Sequence, residues 1–342
     1  MPACDERTTV AVIGAGAWGT ALAWLAAGIG HGVRLWVRRA ERADAIRAQR
    51  ENAPRLPGVR LPDNVRVSAD LAQTLAGARH VITAVPSAYL RETARSLAPH
   101  LSHEAALISA TKGLELGTGK RMSSVLIEET GLDPCRILAL SGPNLSAEVA
   151  AGMPAVSVLA GADATAVAIC QRFFSTPLFR IYTTCDILGV EVCGALKNVI
   201  AIGAGVSDGL GYGANAKAAI VTRGMAEIGR LGTKLGAGRA TFWGAAGVGD
   251  VLATCNSQLS RNWQVGYRLG QGETAEAIGA TQTSVAEGIP TTAAARGLAA
   301  ELGVDAPITN ALHQVIFNSR APVEAVQELM TRRWRVEPED WQ

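Results

Sequence analysis

The chain is short of lysine. Among 342 residues it carries 27 Arg but only five Lys, at positions 112, 120, 197, 217 and 234, so ordinary positive charge is written as Arg. It is also short of charge as a whole: charged residues make up 18%, net charge is +2, and no basic block is longer than Arg38-Arg39 or Arg332-Arg333. That balance excludes a nucleic-acid-binding surface. The six Cys (Cys4, Cys135, Cys170, Cys185, Cys193 and Cys255) include no CxxC and no zinc spacing. They read as reduced thiols of a cytoplasmic protein rather than a disulfide framework. The five His (His31, His80, His100, His103 and His313) form no metal-ligand pattern, so no metal site is expected and a His-based mechanism has little support. One stretch, Ala11 to Gly30, is uncharged and long enough to cross a bilayer. It is rich in Gly and Ala, and Asp5-Glu6-Arg7 before it is not the cationic flank of a signal peptide, so the chain is read as not membrane-embedded.

What is present begins with that same stretch. The β-branched run Thr9-Val10-Ala11-Val12-Ile13 leads into Gly14-x-Gly16-x-x-Gly19 and then an alanine-rich helix. In a dinucleotide fold each glycine has its own duty. Gly14 permits a tight turn, Gly16 lets a pyrophosphate approach the backbone, and Gly19 lets helix and strand pack closely. The helix N-terminus offers unpaired N–H groups and a positive dipole end to the phosphates. The pattern would be weak on its own in a chain with 37 Gly; its place between one strand and a second, Val33–Val37, makes it strong.

Length alone suggests two domains. Strand candidates recur at Val10–Ile13, Val33–Val37, Val65–Val67, Val81–Val85, Ala106–Ala110, Ile137–Leu140, Ala155–Leu159 and Arg180–Tyr182, with helical stretches between them. This βαβ rhythm predicts an α/β fold with an N-terminal, Rossmann-type, doubly wound and mainly parallel sheet. The stretch Asn52 to Asn64, with three Pro, reads as an irregular excursion outside the sheet. After Asp186 the alternation stops, and helical spacing follows over Gly189–Ser207, Ala214–Gly232, Asn262–Gly270, Thr291–Leu302 and Ile308–Phe317. The expected boundary therefore lies near 187, with a dinucleotide-binding domain over 1–187 and an all-α domain over 188–342.

The rare lysines point to chemistry. Lys197 lies in a run, Gly194 to Ile202, that otherwise reads as a buried helix. A desolvated ammonium is costly unless paired, and desolvation readies it for proton transfer; the other reading is a surface lysine whose stem covers apolar neighbours. Lys112 follows a strand end, the edge where ligands bind in doubly wound sheets, or is a solvated loop residue. Ser141-Gly142-Pro143-Asn144 is a turn that can present backbone N–H groups, or a plain strand-to-helix turn with Asn144 as N-cap. Gly247-Val248-Gly249-Asp250 places a carboxylate after two glycines, where Asp250 could also cap a helix at Val251. Ser260-Arg261-Asn262 reads as a helix start with Ser260 as cap, a ready phosphate site if Arg261 is not an ordinary surface residue. Val285-Ala286-Glu287-Gly288 is weak by itself.

Together the segments GAGAWGTA, ATKGLE, SGPN, GALKNVIAIGAGVSDGLGYGANAKAAIVTRG, GVGD, SRN and VAEG resemble the bacterial-type NAD(P)-dependent glycerol-3-phosphate dehydrogenases over roughly residues 9 to 330. The resemblance implies hydride transfer between a nicotinamide and C2 of dihydroxyacetone phosphate or sn-glycerol 3-phosphate, feeding phospholipid synthesis. It implies Lys197 as general acid/base, and substrate contacts from Lys112, Gly142, Asn144, Lys197, Asp250, Ser260, Arg261 and Asn262, with Asp250 also paired to an active-site lysine. The family commonly has Thr or Ser where this chain has Asn144. Cofactor contacts would come from Gly14, Gly16, Ala17, Trp18, Gly19, Lys112, Ser146, Arg261, Val285 and Glu287. Lys217 falls where related sequences tolerate Arg and is set aside. Arg38, at the end of the second strand where an acidic residue would favour NAD, makes NADPH the preferred cofactor, with NADH usable. A homodimer is compatible with this reading. Two alternatives stay open: another two-domain dehydrogenase of 6-phosphogluconate or 3-hydroxy-acid type, and a non-enzymatic dinucleotide sensor.

Overall fold

The computed structural model describes residues 9–281, 285–334, 336 and 337; Cys4 and the acidic Asp5-Glu6 lie outside them. The chain divides into two compact units. One takes in the residues up to Thr111 with Ser123–Leu140 and Asn144–Ile187; the other takes in Lys112–Met122, Ser141–Pro143 and the chain from Leu188 onward. The division falls between Ile187 and Leu188, at the start of the helix Ile187–Gly209, and two short segments from the earlier part of the chain, 112–122 and 141–143, group with the helices.

The first unit is an eight-stranded sheet flanked by helices. Its strands are β1 (Thr9–Ile13), β2 (Gly32–Trp36), β3 (Val65–Ser68), β4 (His80–Thr83), β5 (Ala106–Ser109), β6 (Ile137–Ser141), β7 (Ala155–Gly161) and β8 (Phe179–Thr184), in the order 3-2-1-4-5-6-7-8. The pairs β3–β2, β2–β1, β1–β4, β4–β5, β5–β6 and β7–β8 are parallel. β4, β5 and β6 are buried at every residue, which is why they read as unbroken apolar runs rather than alternating ones. Strand order reverses between β1 and β4. That topological switch point is where doubly wound sheets bind their ligands, beyond the carboxyl ends of the strands. The uncharged stretch from Ala11 is therefore the end of β1, the glycine turn and the helix Ala17–Gly28, buried against the sheet because both of its neighbours are apolar.

The excursion at 52–64 is irregular, as expected, yet it is firmly built in. Leu56 and Leu61 are buried, and the Arg50 guanidinium donates to the carbonyls of Val65 (2.9 Å), Leu61 (3.2 Å) and Pro62.

The second unit has no strand among its described residues; its only β feature is an isolated antiparallel bridge between Leu114 and Arg121. Its long helices are Ile187–Gly209, Ala214–Lys234, Arg261–Gly270, Gly288–Leu302 and Pro307–Phe317. The first of these is long and apolar enough to cross a membrane by length and composition, but 89% of its apolar window is buried. It is a core helix. Two glycine pairs spaced four apart, Gly205/Gly209 and Gly266/Gly270, let this helix meet Arg261–Gly270 backbone to backbone. A Cβ on Gly266 would sit 1.9 Å from the Ile202 carbonyl oxygen, and one on Gly205 would sit 2.1 Å from that of Trp263. Trp263 Nε1 then donates to Asp208 across the crossing at 2.7 Å, and Lys217 pairs with the same carboxylate at 2.6 Å. Lys217 is thus a framework residue. The buried carboxylate of Glu227 accepts from the N–H groups of Ile308 and Thr309, both at 2.9 Å, so an anion from one helix closes the N-terminus of Pro307–Phe317.

Candidate active site

The glycine turn divides its duties as the sequence pattern implies. Gly14 has φ +111°, and a Cβ there would meet the Ala84 carbonyl oxygen at 2.7 Å. A Cβ on Gly19 would sit 1.9 Å from the Gly14 carbonyl oxygen, so helix and turn can touch only without it. Gly16 differs, because nothing lies within 4 Å of where its Cβ would be. It is the N-cap of Ala17–Gly28, and no side chain caps that helix. Open space beside an uncapped helix N-terminus fits a dinucleotide pyrophosphate, which would take the N–H groups of the first turn. Trp18 contributes its backbone to that turn. Its side chain packs against the cluster of Ala21, Leu56 and Ala150, with Nε1 buried and unpartnered.

At the end of β2, Arg38 is exposed and lies over the Tyr89 ring, 4.9 Å from its centroid. Arg39 is the N-cap of Ala40–Gln49 without a side-chain capping bond.

The second unit holds the densest buried charge among the described residues. Asp250 is 1% exposed and is shared between two ammonium groups: Oδ1 accepts from Lys197 Nζ at 2.6 Å and Oδ2 from Lys112 Nζ at 2.6 Å. Lys197, the lysine in the apolar run, is buried and also donates to Thr254 Oγ1 at 2.7 Å. Thr254 in turn donates to the Asp250 carbonyl one helical turn back, at 2.7 Å. Lys112 donates to the Gly142 carbonyl at 3.0 Å, and Ser141 Oγ lies 3.4 Å from Asp250 Oδ2. The helix Ile187–Gly209 passes this close because residue 194 is glycine: a Cβ there would lie 2.8 Å from Ser141 Oγ.

The electrostatics follow from this crowding. Burial, with the like charge of Lys197 added, lowers Lys112 to about 8 although Asp250 pulls the other way. Burial opposes charge on Asp250, yet the ammonium groups of Lys112 and Lys197 outweigh it and hold the carboxyl below the usual carboxylate range. The cluster is a pair of desolvated cations fixed by one anion, with Lys112 able to titrate near neutrality. Such a site can bind an anionic oxygen and move a proton.

Several details correct the sequence reading. Asp250 does not cap a helix at Val251. It is the first residue of Asp250–Cys255, behind Gly249, and its carboxylate is committed to the lysines. Gly247 is required by the protein itself, since a Cβ there would lie 2.1 Å from the Phe242 carbonyl oxygen. Asn144 is not an N-cap either: Leu145 caps Ser146–Ala150. The Asn144 amide instead donates to the Val156 carbonyl at 2.7 Å and accepts from Ser157 Oγ at 3.0 Å, both on β7. Ser146 is the first residue of that short helix and is half-buried.

Ser260 is the N-cap of Arg261–Gly270 and accepts from the Trp263 N–H at 3.2 Å. Arg261 is exposed at the same helix end. Asn262 is buried and links two helices, donating to Asn198 Oδ1 (2.8 Å) and accepting from the Gly288 N–H (2.9 Å). Its side chain is framework at least as much as ligand contact. Glu287 is the N-cap of Gly288–Leu302, and Val285, beside it, is 42% exposed. Thr254 and Asn198 carried no signal in the sequence. Their spacing from Asp250 and Lys197, one helical turn and one residue, becomes informative only once those two are fixed.

An open glycine turn at the switch point of a doubly wound sheet, with a lysine–carboxylate–lysine cluster in a helical unit, defines a nicotinamide-dinucleotide-dependent oxidoreductase. Two family models cover the chain: the N-terminal region of NAD-dependent glycerol-3-phosphate dehydrogenase matches residues 9–167, and its C-terminal region matches 186–327. The chain belongs to the NAD-dependent glycerol-3-phosphate dehydrogenase family. It is 47% identical over 337 residues to a glycerol-3-phosphate dehydrogenase [NAD(P)+] of Moorella thermoacetica, covering 98% of this chain and 100% of that one. A protein of the same name from Geobacillus kaustophilus is 46% identical, with 97% and 96% covered. The crystal structure of glycerol-3-phosphate dehydrogenase from Coxiella burnetii superposes with a TM-score of 0.92 at 34% identity, covering 95% of this chain and 99% of that chain. A ketopantoate reductase from Ralstonia eutropha shares the fold alone, at 18% identity and a TM-score of 0.58. The other dehydrogenase types and the sensor are not favoured.

Proposed function

We propose that the chain reduces dihydroxyacetone phosphate to sn-glycerol 3-phosphate, reversibly and in the cytoplasm, supplying glycerophospholipid synthesis. The observation that carries this reading is the Asp250 carboxylate held between Lys197 and Lys112. The dinucleotide, held at the Gly14–Gly19 turn, supplies hydride chemistry when bound. Lys197 donates a proton from Nζ to the oxygen developing at C2 and recovers it in the reverse direction. Asp250 aims that ammonium through one hydrogen bond, and Thr254 fixes its second. Lys112 supplies positive charge for the substrate oxygens. The phosphate end is taken at the N-terminus of Arg261–Gly270, where an anion gains from the helix dipole and the Arg261 guanidinium together. Mixing the protein with dihydroxyacetone phosphate and either reduced cofactor tests the reading. Absorbance at the reduced-nicotinamide band should fall, and no fall with either cofactor would refute it.

The phosphate assignment has its own measurement. Arg261→Ala should raise KM for dihydroxyacetone phosphate far more than for dihydroxyacetone. A guanidinium–phosphate bond is worth about 1.5–3 kcal/mol, roughly tenfold to hundredfold. An equal effect on both substrates would put Arg261 on the cofactor or the framework.

NADPH is the preferred cofactor, with NADH usable. An acidic residue at the end of β2 accepts from the 2′-hydroxyl of NAD, whereas an Arg can pair with the 2′-phosphate of NADP. The Arg38 guanidinium, laid on Tyr89 and exposed, supports this reading. Arg38→Asp should weaken NADPH binding strongly and leave NADH unchanged or tighter. Unchanged NADPH affinity would refute the role.

A further inference from the structure

The irregular stretch that starts at Asn52 has no part in the chemistry above, yet its first residue is fully buried and spends its whole amide. Asn52 Nδ2 donates to the Ala15 carbonyl of the glycine turn at 3.0 Å and to Thr20 Oγ1 at 2.8 Å, and Oδ1 accepts from Arg42 Nη2 at 3.2 Å. Its backbone carbonyl accepts from the N–H groups of Arg55 (2.9 Å) and Leu56 (2.8 Å). A buried amide is costly unless every bond is made, and here the bonds join the glycine turn to a guanidinium. Arg42 lies in the first turn of Ala40–Gln49, four residues beyond Arg38, and its Nε is buried without a hydrogen-bond partner. Burial, then the like charges of Arg55 and Arg39, weigh against its cation. Arg42, tied through Asn52 to the glycine turn, thus carries its charge against the like charges of Arg55 and Arg39. A dianion placed there would turn that repulsion into attraction.

We infer that Arg42 is a second specificity residue for the cofactor's 2′-phosphate and that Asn52 is the positioning residue that ties it to the glycine turn. The adenosine ribose of a dinucleotide lies by the end of the second strand in this fold. Arg38 follows the end of that strand, and Arg42 lies in the first turn of the helix that follows, bonded to Asn52. The inference rests on the NADPH preference proposed for Arg38, and its test separates the two.

The experiment measures dissociation constants for NADPH and NADH by quenching of tryptophan fluorescence. It adds 2′,5′-ADP by calorimetry, as a probe with the phosphate and no nicotinamide. Arg42→Gln should weaken NADPH and 2′,5′-ADP about tenfold, the scale of one charge-assisted bond, and leave NADH within about twofold. Asn52→Leu, similar in size without the amide, should lower the NADPH-to-NADH affinity ratio in the same direction, a ratio that loss of stability alone does not move. If Asn52→Leu does not fold, Arg42→Gln decides the matter. An unchanged ratio in Arg42→Gln, or equal weakening of both cofactors, overturns the inference. Equal wild-type affinity for both cofactors would refute the preference assigned to Arg38; Arg42 would still stand or fall on 2′,5′-ADP.

Discussion

Lys197→Ala is expected to abolish turnover while leaving NADPH binding nearly intact. On the proposed mechanism Nζ donates a proton to the oxygen on the reacting carbon, while the dinucleotide is held by a separate set of groups at the Gly14–Gly19 turn. Acid/base assistance alone is worth about 10²–10⁴ in rate, and stabilisation of the developing alkoxide adds to it. Lys197→Arg should be nearly as inactive: it keeps a charge beside Asp250, but a guanidinium does not release a proton near neutral pH and its fork does not fit a point contact. Stability is a competing explanation, since breaking a buried ion pair costs about 3–5 kcal/mol. Fluorescence titration with NADPH on the same preparation separates the two, because an unfolded variant binds no cofactor. A Lys197→Ala enzyme that retains more than about a tenth of wild-type kcat/KM would sink the assignment.

How much of this was legible in the sequence depended on how local each cause is. All eight strands were visible as short runs rich in apolar residues: the central β4, β5 and β6 are buried on both faces, the outer β3 and β8 alternate buried with exposed residues, and either signal needs no partner. The glycine turn was equally legible, since Gly14, Gly16 and Gly19 answer to three constraints within six residues. Lys197 stood out because an ammonium in an apolar helical run demands a counterion, but nothing local said which one; only the family resemblance pointed to Asp250 as the partner of an active-site lysine. The answer, Asp250, is 53 residues away, and Lys112 is 138 residues from it. Short helices such as Asp250–Cys255 and Ala275–Thr281 carry too few turns for a period to show, so Asp250 was open to being taken for a cap. Asn144 and Asn262 sat in motifs that suggested ligand contact, but an amide has four hydrogen-bonding sites, and theirs are largely used by β7 and by the Asn198–Gly288 link. The grouping of Lys112–Met122 with the helices was hidden for the same reason. Leu114 joins the helical core, and Arg121 pairs at 2.6 Å with the buried Glu191, neither of which a reading along the chain can see.

Asp250→Asn carries the other large effect, and it acts on both lysines at once. The substitution keeps the shape of the side chain and removes the one anion between two ammonium groups. Lys112, already lowered to about 8 by burial, loses the attraction that offsets it and keeps the repulsion of Lys197. An opposite charge at contact distance shifts a neighbour by about 1–3 units, so Lys112 should become largely neutral at pH 7. In the wild type, activity that needs Lys112 charged should fall as pH rises through about 8. In Asp250→Asn that alkaline limb should move down by about 1–3 pH units, with KM for dihydroxyacetone phosphate raised and kcat lowered by roughly 10² or more as Lys197 loses its aim. Stability runs the other way along the pH axis. A lysine whose folded value lies below its unfolded one costs stability while it is charged, so the wild type should gain stability as pH rises from about 8 towards the ordinary lysine value of 10.5. Asp250 itself is held below its ordinary value; its contribution is present above the carboxylate range and lost as acid protonates it, and the Asn variant should lack that loss. Initial rates across about pH 5 to 10, and melting temperatures followed from there down through the carboxylate range, check both signs. An Asp250→Asn enzyme with the wild-type pH profile and KM would mean that the carboxylate neither holds the lysines nor tunes them.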